Sequence, residues 1–230
     1  MYNKDVKQLL DHCNGEIENI SEQAKNGEIN KVILKNTLEN MRSILDYVAQ
    51  DILHKLKQNQ KNKKLSEKVY FPYGQKESHF KNSVKKNLSS LKHDEPELYD
   101  LIEASQPFKS GDSWIVYLCL LTNEAKHNNL SKTKEQKSVS VKQGNFIHIE
   151  GGSNITLHNN YVNGIRQDDI HVDNNGEVTV VEHSGNTEIT INNRIKFHGK
   201  ELEIVPFLQN CHVKLHTLTN KIGVILHEKA

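Results

Sequence analysis

The chain has 230 residues, of which 35% are hydrophobic and 26% charged, and its formal net charge is +1. That length suits one large domain or two small ones, and the near-neutral balance excludes a global field that would draw the chain to nucleic acid or a membrane. No stretch approaches the roughly 18–20 apolar residues of a membrane span, the opening MYNKDVKQLL lacks the apolar core of a signal peptide, and Cys13, Cys119 and Cys211 form no CxxC pair, so free thiols in a cytoplasmic protein are expected.

The first element predicted is a polar amphipathic helix from about Asn3 to Lys25, with Val6, Leu9, Leu10, Cys13, Ile17 and Ile20 on one side. Asn26-Gly27 is a turn signal. From about Lys31 to Lys57, the residues Leu34, Leu38, Met41, Leu45, Val48 and Ile52 step as one buried helical stripe. A helix that long needs a partner, and the first helix is its nearest candidate. A lysine-rich link follows, and Phe71 must be extended because it precedes Pro72. Phe80, Val84, Leu88 and Leu91 mark a third helix. Pro96 opens a fourth, which Pro107 stops, and Asp112 or Ser113 caps a fifth helix built around WIVYLCLL.

Near Leu130 the texture changes. SKTKEQK reads as a polar linker, and from Ser138 to Ile204 the hydrophobic period becomes two, with glycine and asparagine turns between β-branched runs. Six to eight short antiparallel strands in a sandwich or barrel are expected. After Pro206 the helical period returns with Leu208, Cys211, Leu215, Leu218, Ile222 and Ile225, a stripe that one helix cannot bury alone. The predicted class is therefore α+β: a helical bundle over 1–136, an antiparallel β-rich insertion over 137–204, and a C-terminal helix over 205–230 that returns to the bundle.

Two clusters carry candidate chemistry. Arg42 and Asp46 stand at i,i+4 beside Tyr47 on the long helix, while Asn123, Lys126 and His127 close the fifth. Were these helices to pack, the six would form a polar cluster in the bundle, suited to a phosphate or to a general base at His127. The bland alternative is a fixed Arg42–Asp46 ion pair, with Lys126 and His127 complementing the helix dipole. The second cluster is a segment from Lys55 to Lys92 with eleven lysines against two glutamates. Lys61, Lys63, Lys64, Lys68, Lys81, Lys85 and Lys86 interleave there with Tyr70 and Tyr73, the composition of a single-strand nucleic-acid site. Basic charge here is nearly all lysine; Arg42, Arg166 and Arg194 are the only arginines, which argues against base-specific DNA reading. His212 and His216 have a chelating i,i+4 spacing, but no third ligand is identifiable, and His148, His158, His171, His183 and His198 read as surface histidines. No metal, cofactor or catalytic residue is assigned.

The residues R-S-x-L-D-Y at Arg42–Tyr47, Phe71-Pro72, Gln106-Pro107, W-x3-L-x2-L-x-N-x2-K-H-x2-L from Trp114 to Leu130, and V-P-F-L-x2-C from Val205 to Cys211 resemble a group of uncharacterised bacterial and phage proteins. That resemblance covers the helical parts and implies no established activity. A second likeness is to HEPN-type helical domains, some of them ribonucleases with an Arg-x4-6-His motif. Arg166 and His171 have that spacing but lie in the β region, and Arg42 has no histidine at the right distance. The expectation is a non-enzymatic binding or assembly module, with a protein partner or self-association and no membrane contact, in a phage-defence or mobile-element setting. The alternatives are a HEPN-like, toxin-related ribonuclease and a single-stranded nucleic-acid-binding protein.

Overall fold

A computed structural model describes residues 3–59, 68–127, 133–145, 147–152 and 154–228, and its class is α+β. The chain divides into two compact units: residues 1–20, 30–132 and 204–230 form the first, and residues 21–29 with 133–203 the second.

The first unit is helical. Helix α1 (Lys4–Lys25) belongs to it as far as Ile20, and α2 (Lys31–Asn59) runs through it. The short helices α3 (Glu77–Asn87), α4 (Leu91–Asp94), α5 (Pro96–Ala104) and α6 (Pro107–Ser110) precede α7 (Trp114–His127) and α8 (Ile204–Glu228). The α2 stripe is wholly buried at Leu34, Leu38, Met41, Leu45, Val48 and Ile52. Its closest packing is with α7 and α8, not with the expected α1. The physical reason is apolar area: α7 is hydrophobic nearly all round and α8 carries a long stripe, whereas α1 is rich in lysine and glutamate. Helix α1 is tied in partly by polar contacts, the Asn3 amide donating to Asp51 at 3.3 Å and His212 Nε2 donating to the Leu10 carbonyl at 3.0 Å. Asp112 caps α7 by accepting the Trp114 N–H at 2.8 Å, and its other oxygen holds Lys214 of α8.

Two boundaries differ from the sequence reading. The expected third helix breaks into α3 and α4, because the backbone leaves helical geometry at Leu88. Pro107 does not merely end α5: it starts the single turn α6, which Gly111 closes at φ 74°. Between α2 and α3 a strap that is neither helix nor strand, residues 68–74, is held at Phe71 and at Gly74. The Phe71 N–H donates to Asp46 at 3.1 Å, and the Gly74 N–H donates to the buried Gln106 Oε1 at 3.0 Å. Position 74 requires glycine, since a Cβ there would lie 2.4 Å from the Phe80 backbone nitrogen.

The second unit holds, among the described residues, β1 (Thr133–Gln143), β2 (Ile147–Gly152), β3 (Ile155–Leu157), β4 (Tyr161–Val162), β5 (Ile165–Arg166), β6 (Asp169–Val172), β7 (Val178–Val181) and β8 (Thr187–Phe197). Pairing is antiparallel in the orders β2-β1-β8 and β3-β6-β7, with β4-β5 a separate hairpin. Val139 and Val141 of the first sheet bury against Ile155, Ile170 and Val172 of the second, a small sandwich rather than a closed barrel. Residues 133–137, expected as linker, are strand. They pair with β8 from Thr133↔Phe197 onward, so a backbone ladder holds this polar stretch, which offers no apolar pattern to read. Residues 21–29 also belong here. The Asn193 amide donates to the Lys25 carbonyl at 3.0 Å, and Gly27, at φ 83°, lies against Glu135.

Gln106→Ala is expected to strand the buried Gly74 N–H and to cost about 1–3 kcal/mol, read as a lower denaturant midpoint. An unchanged midpoint would show that the strap is anchored otherwise.

Candidate functional site

The polar cluster of the helical unit is built around Arg42. Its side chain is 14% exposed, so its charge needs partners. Nη2 lies 3.3 Å from Asp46 Oδ1, one helical turn on. Nη1 donates to the Cys119 sulfur of α7. The guanidinium lies over the Tyr73 ring at 5.0 Å from its centroid, and Tyr73 shares a hydrogen bond with Cys119. The same Asp46 oxygen accepts the Phe71 N–H. The arrangement therefore joins α2, the strap and α7.

Burial pushes the Cys119 thiol up to about 11, and neighbouring Asp46 adds to this while Arg42 opposes it. Burial likewise raises Tyr73. Both groups stay protonated at neutral pH, which leaves the sulfur a poor nucleophile. Burial also raises Cys13, to about 12, and Cys211.

Of the six residues expected in this cluster, Arg42 and Asp46 come together. Tyr47 and Asn123 face solvent. Lys126 and His127 belong to the last turn of α7, and their side chains lie outside the described residues. The true partners, Tyr73 and Cys119, escape sequence reasoning. Tyr73 follows Phe71-Pro72 directly, and its spacing marks it only as part of the basic segment.

Of the basic segment, Lys61, Lys63 and Lys64 lie outside the described residues. Phe71 and Phe80 are core, Phe80 meeting Tyr99 and Phe108 at ring separations of 5.6 and 6.0 Å. Lys81 pairs with Glu77 at 2.6 Å. Lys68, Lys85 and Lys86 are exposed, and so is Tyr70, by 57%. The Tyr70 N–H donates to Asn87 at 3.1 Å, which ties this residue's backbone to the end of α3 that carries Lys85 and Lys86.

A cavity of about 360 Å³ opens elsewhere in the helical unit, where Val6, Val48 and Ile222 form apolar wall and Asn3, Asp51 and His54 supply polar atoms. Burial raises the Asp51 carboxyl. The i,i+3 pair Asp51/His54 on α2 is its only sequence signal.

In the β unit, Arg166 and His171 part ways. Arg166 donates to Asp169 at 2.9 Å, whereas His171 bonds Thr156 at 3.1 Å on the neighbouring strand. Asp169 Oδ2 also lies 3.1 Å from His158 Nδ1 and 3.2 Å from His183 Nε2. The Asn159 N–H is the chief influence on this carboxyl and, with His183, His158 and Arg166, holds it near 2. For Asp168, burial opposes the charge, but the N–H groups of His183, Ser184 and Gly185 and the Thr187 hydroxyl outweigh it and hold it far below the usual range. These paired carboxylates pin the 183–185 turn. Among the described residues, no group of three or more histidine, cysteine or carboxylate side chains could hold a metal ion, and no helix is long and apolar enough to cross a membrane.

Comparison with family models, curated proteins and solved structures finds no match to the chain.

Two outcomes are expected. Arg42→Ala leaves Asp46 without its cation and should cost about 3 kcal/mol, with Arg42→Lys recovering only part, because an ammonium lacks the planar fork. Full stability in Arg42→Ala would contradict the clamp. Because Asp168 and Asp169 are depressed when folded, their stabilisation is complete above the ordinary 3.8 and declines as pH falls below it, Asp169 losing its share as pH falls through about 2 and Asp168 lower still. The Asn159 amide signal, held by Asp169, should therefore shift as pH falls through about 2 while the amides of 183–185, held by Asp168, persist to lower pH; a 183–185 turn that loosens before the Asn159 signal moves would refute the pinning.

Proposed function

We propose that the protein is a non-enzymatic binding or assembly module, in which the helical unit is a rigid carrier and the β unit supplies interaction surface. The observation that carries this reading is the outer edge of β8, an eleven-residue strand at the end of its sheet. From Thr187 to Ile195 no described strand lies on its outer side, and an open edge of that length is a template for a further strand. The reading also draws support from how the reactive groups are used: Arg42 is matched within the fold and the thiols stay protonated. The phage-defence or mobile-element setting rests on the helical motifs alone.

A second reading is single-stranded nucleic-acid binding, favoured by exposed Tyr70, whose backbone is bonded to Asn87 at the end of the helix that carries the exposed Lys85 and Lys86. Stacking plus lysine contact makes such binding strongly salt-dependent.

Hydrogen exchange of the full chain at rising protein concentration tests the first reading. Slower exchange confined to strand edges of the β unit is expected. Concentration-independent exchange, together with salt-dependent oligonucleotide binding lost in Tyr70→Ala and in Lys85→Glu/Lys86→Glu, would replace it with the second.

A further inference from the structure

Resting on the assembly reading, we infer that the partner of the β8 edge is a second copy of this chain, paired antiparallel to it about a twofold axis at Ile191. The first observation is how much of the edge is open. Beyond Ile195 the chain covers its own strand: Glu203 bridges to Lys196, and the Phe197 N–H donates to the Leu202 carbonyl at 3.0 Å. From Thr187 to Ile195 no described strand lies on the outer side. The midpoint of that open stretch is Ile191.

The second observation is the self-complementary charge of the stretch. An antiparallel pairing centred on Ile191 sets Glu188 opposite Arg194 of the second copy, and Arg194 opposite Glu188, on one face of the extended sheet. Opposite charges directly across a ladder are favourable and like charges are not. Both side chains are exposed, Glu188 by 73% and Arg194 by 53%. Their present partners, Lys142 at 3.2 Å and Glu203 at 3.4 Å, form solvent-exposed pairs that hold them weakly. A register one residue earlier sets Glu188 against Asn192 and loses the charge match. One residue later sets Glu188 against Lys196, where Glu203 already closes the edge.

The third observation is Ile191 itself. It is 52% exposed although its neighbours along the same face, Ile189 and Ile195, are partly and fully buried. At the twofold it meets its own copy, and each covers the other. Of the devices that keep edges apart, proline is absent from the strand and its one lysine sits at the closed end, while its exposed charges, Glu188 and Arg194, are of opposite sign. The result is one continuous sheet of order β2-β1-β8-β8-β1-β2.

Light-scattering mass measurement of the full chain over a range of concentrations tests this. The mass should rise toward twice that of the chain. Glu188→Arg or Arg194→Glu alone should weaken the dimer roughly tenfold, because each reverses two pairs per dimer, and the double reversal Glu188→Arg/Arg194→Glu should restore it. Ile191→Cys should give a disulfide-linked dimer under oxidation. A monomer at every concentration, or a dimer that ignores both single reversals, overturns the β8 pairing. In the latter case, association that protects another β-unit edge leaves the assembly reading standing without it.

Discussion

The helical unit depends on satisfying one largely buried arginine. A guanidinium removed from water is tolerated only where its donors and charge are matched, and Arg42 meets this with three partners from three places in the chain. Asp46 comes from the next turn of α2, Cys119 from α7 and Tyr73 from the strap. Two of them also fix the strap. Asp46 holds the Phe71 backbone, and Tyr73 lies one residue from Gly74, which Gln106 anchors at the other end. The polar motif residues thus act as fasteners between elements whose apolar faces supply the bulk of the burial.

This use of the polar residues bears on function. A site that binds or reacts needs groups with unspent capacity, and the groups gathered at Arg42 have little. The β unit differs in construction. Its apolar cluster is small, long backbone ladders carry β1 and β8, and Asp168 and Asp169 fasten its turns. Among the described residues its sheets end in strands such as β8, an arrangement the helical unit has no counterpart for.

Legibility in the sequence follows the strength of the periodic signal. The stripes of α2 and α8 can be read because a wholly apolar face at helical spacing seldom arises except on a helix packed against others, and the change to period two places the sheets. Partner choice is not legible. That α2 packs on α7 and α8 depends on comparing apolar areas across the whole chain, and α1 is merely nearest in sequence. Thr133–Lys137 resembles a linker because ladder hydrogen bonds leave no mark on a polar stretch. At the candidate site the local half is readable, since Arg42 and Asp46 are one turn apart. Cys119 is 77 residues away, and nothing in a single sequence reports that contact. Asn123 is drawn in by its motif, yet it points to solvent.

Arg42 acts within the fold as a fastener. A double-mutant cycle on unfolding free energies, using Arg42→Met, Asp46→Asn and the pair, measures this most directly, because Asp46→Asn keeps an acceptor for the Phe71 N–H. A coupling of about 1–3 kcal/mol is predicted, with any self-association of the folded chain unchanged. Additive effects, within about 0.5 kcal/mol, would contradict it and return the cluster to consideration as a binding site.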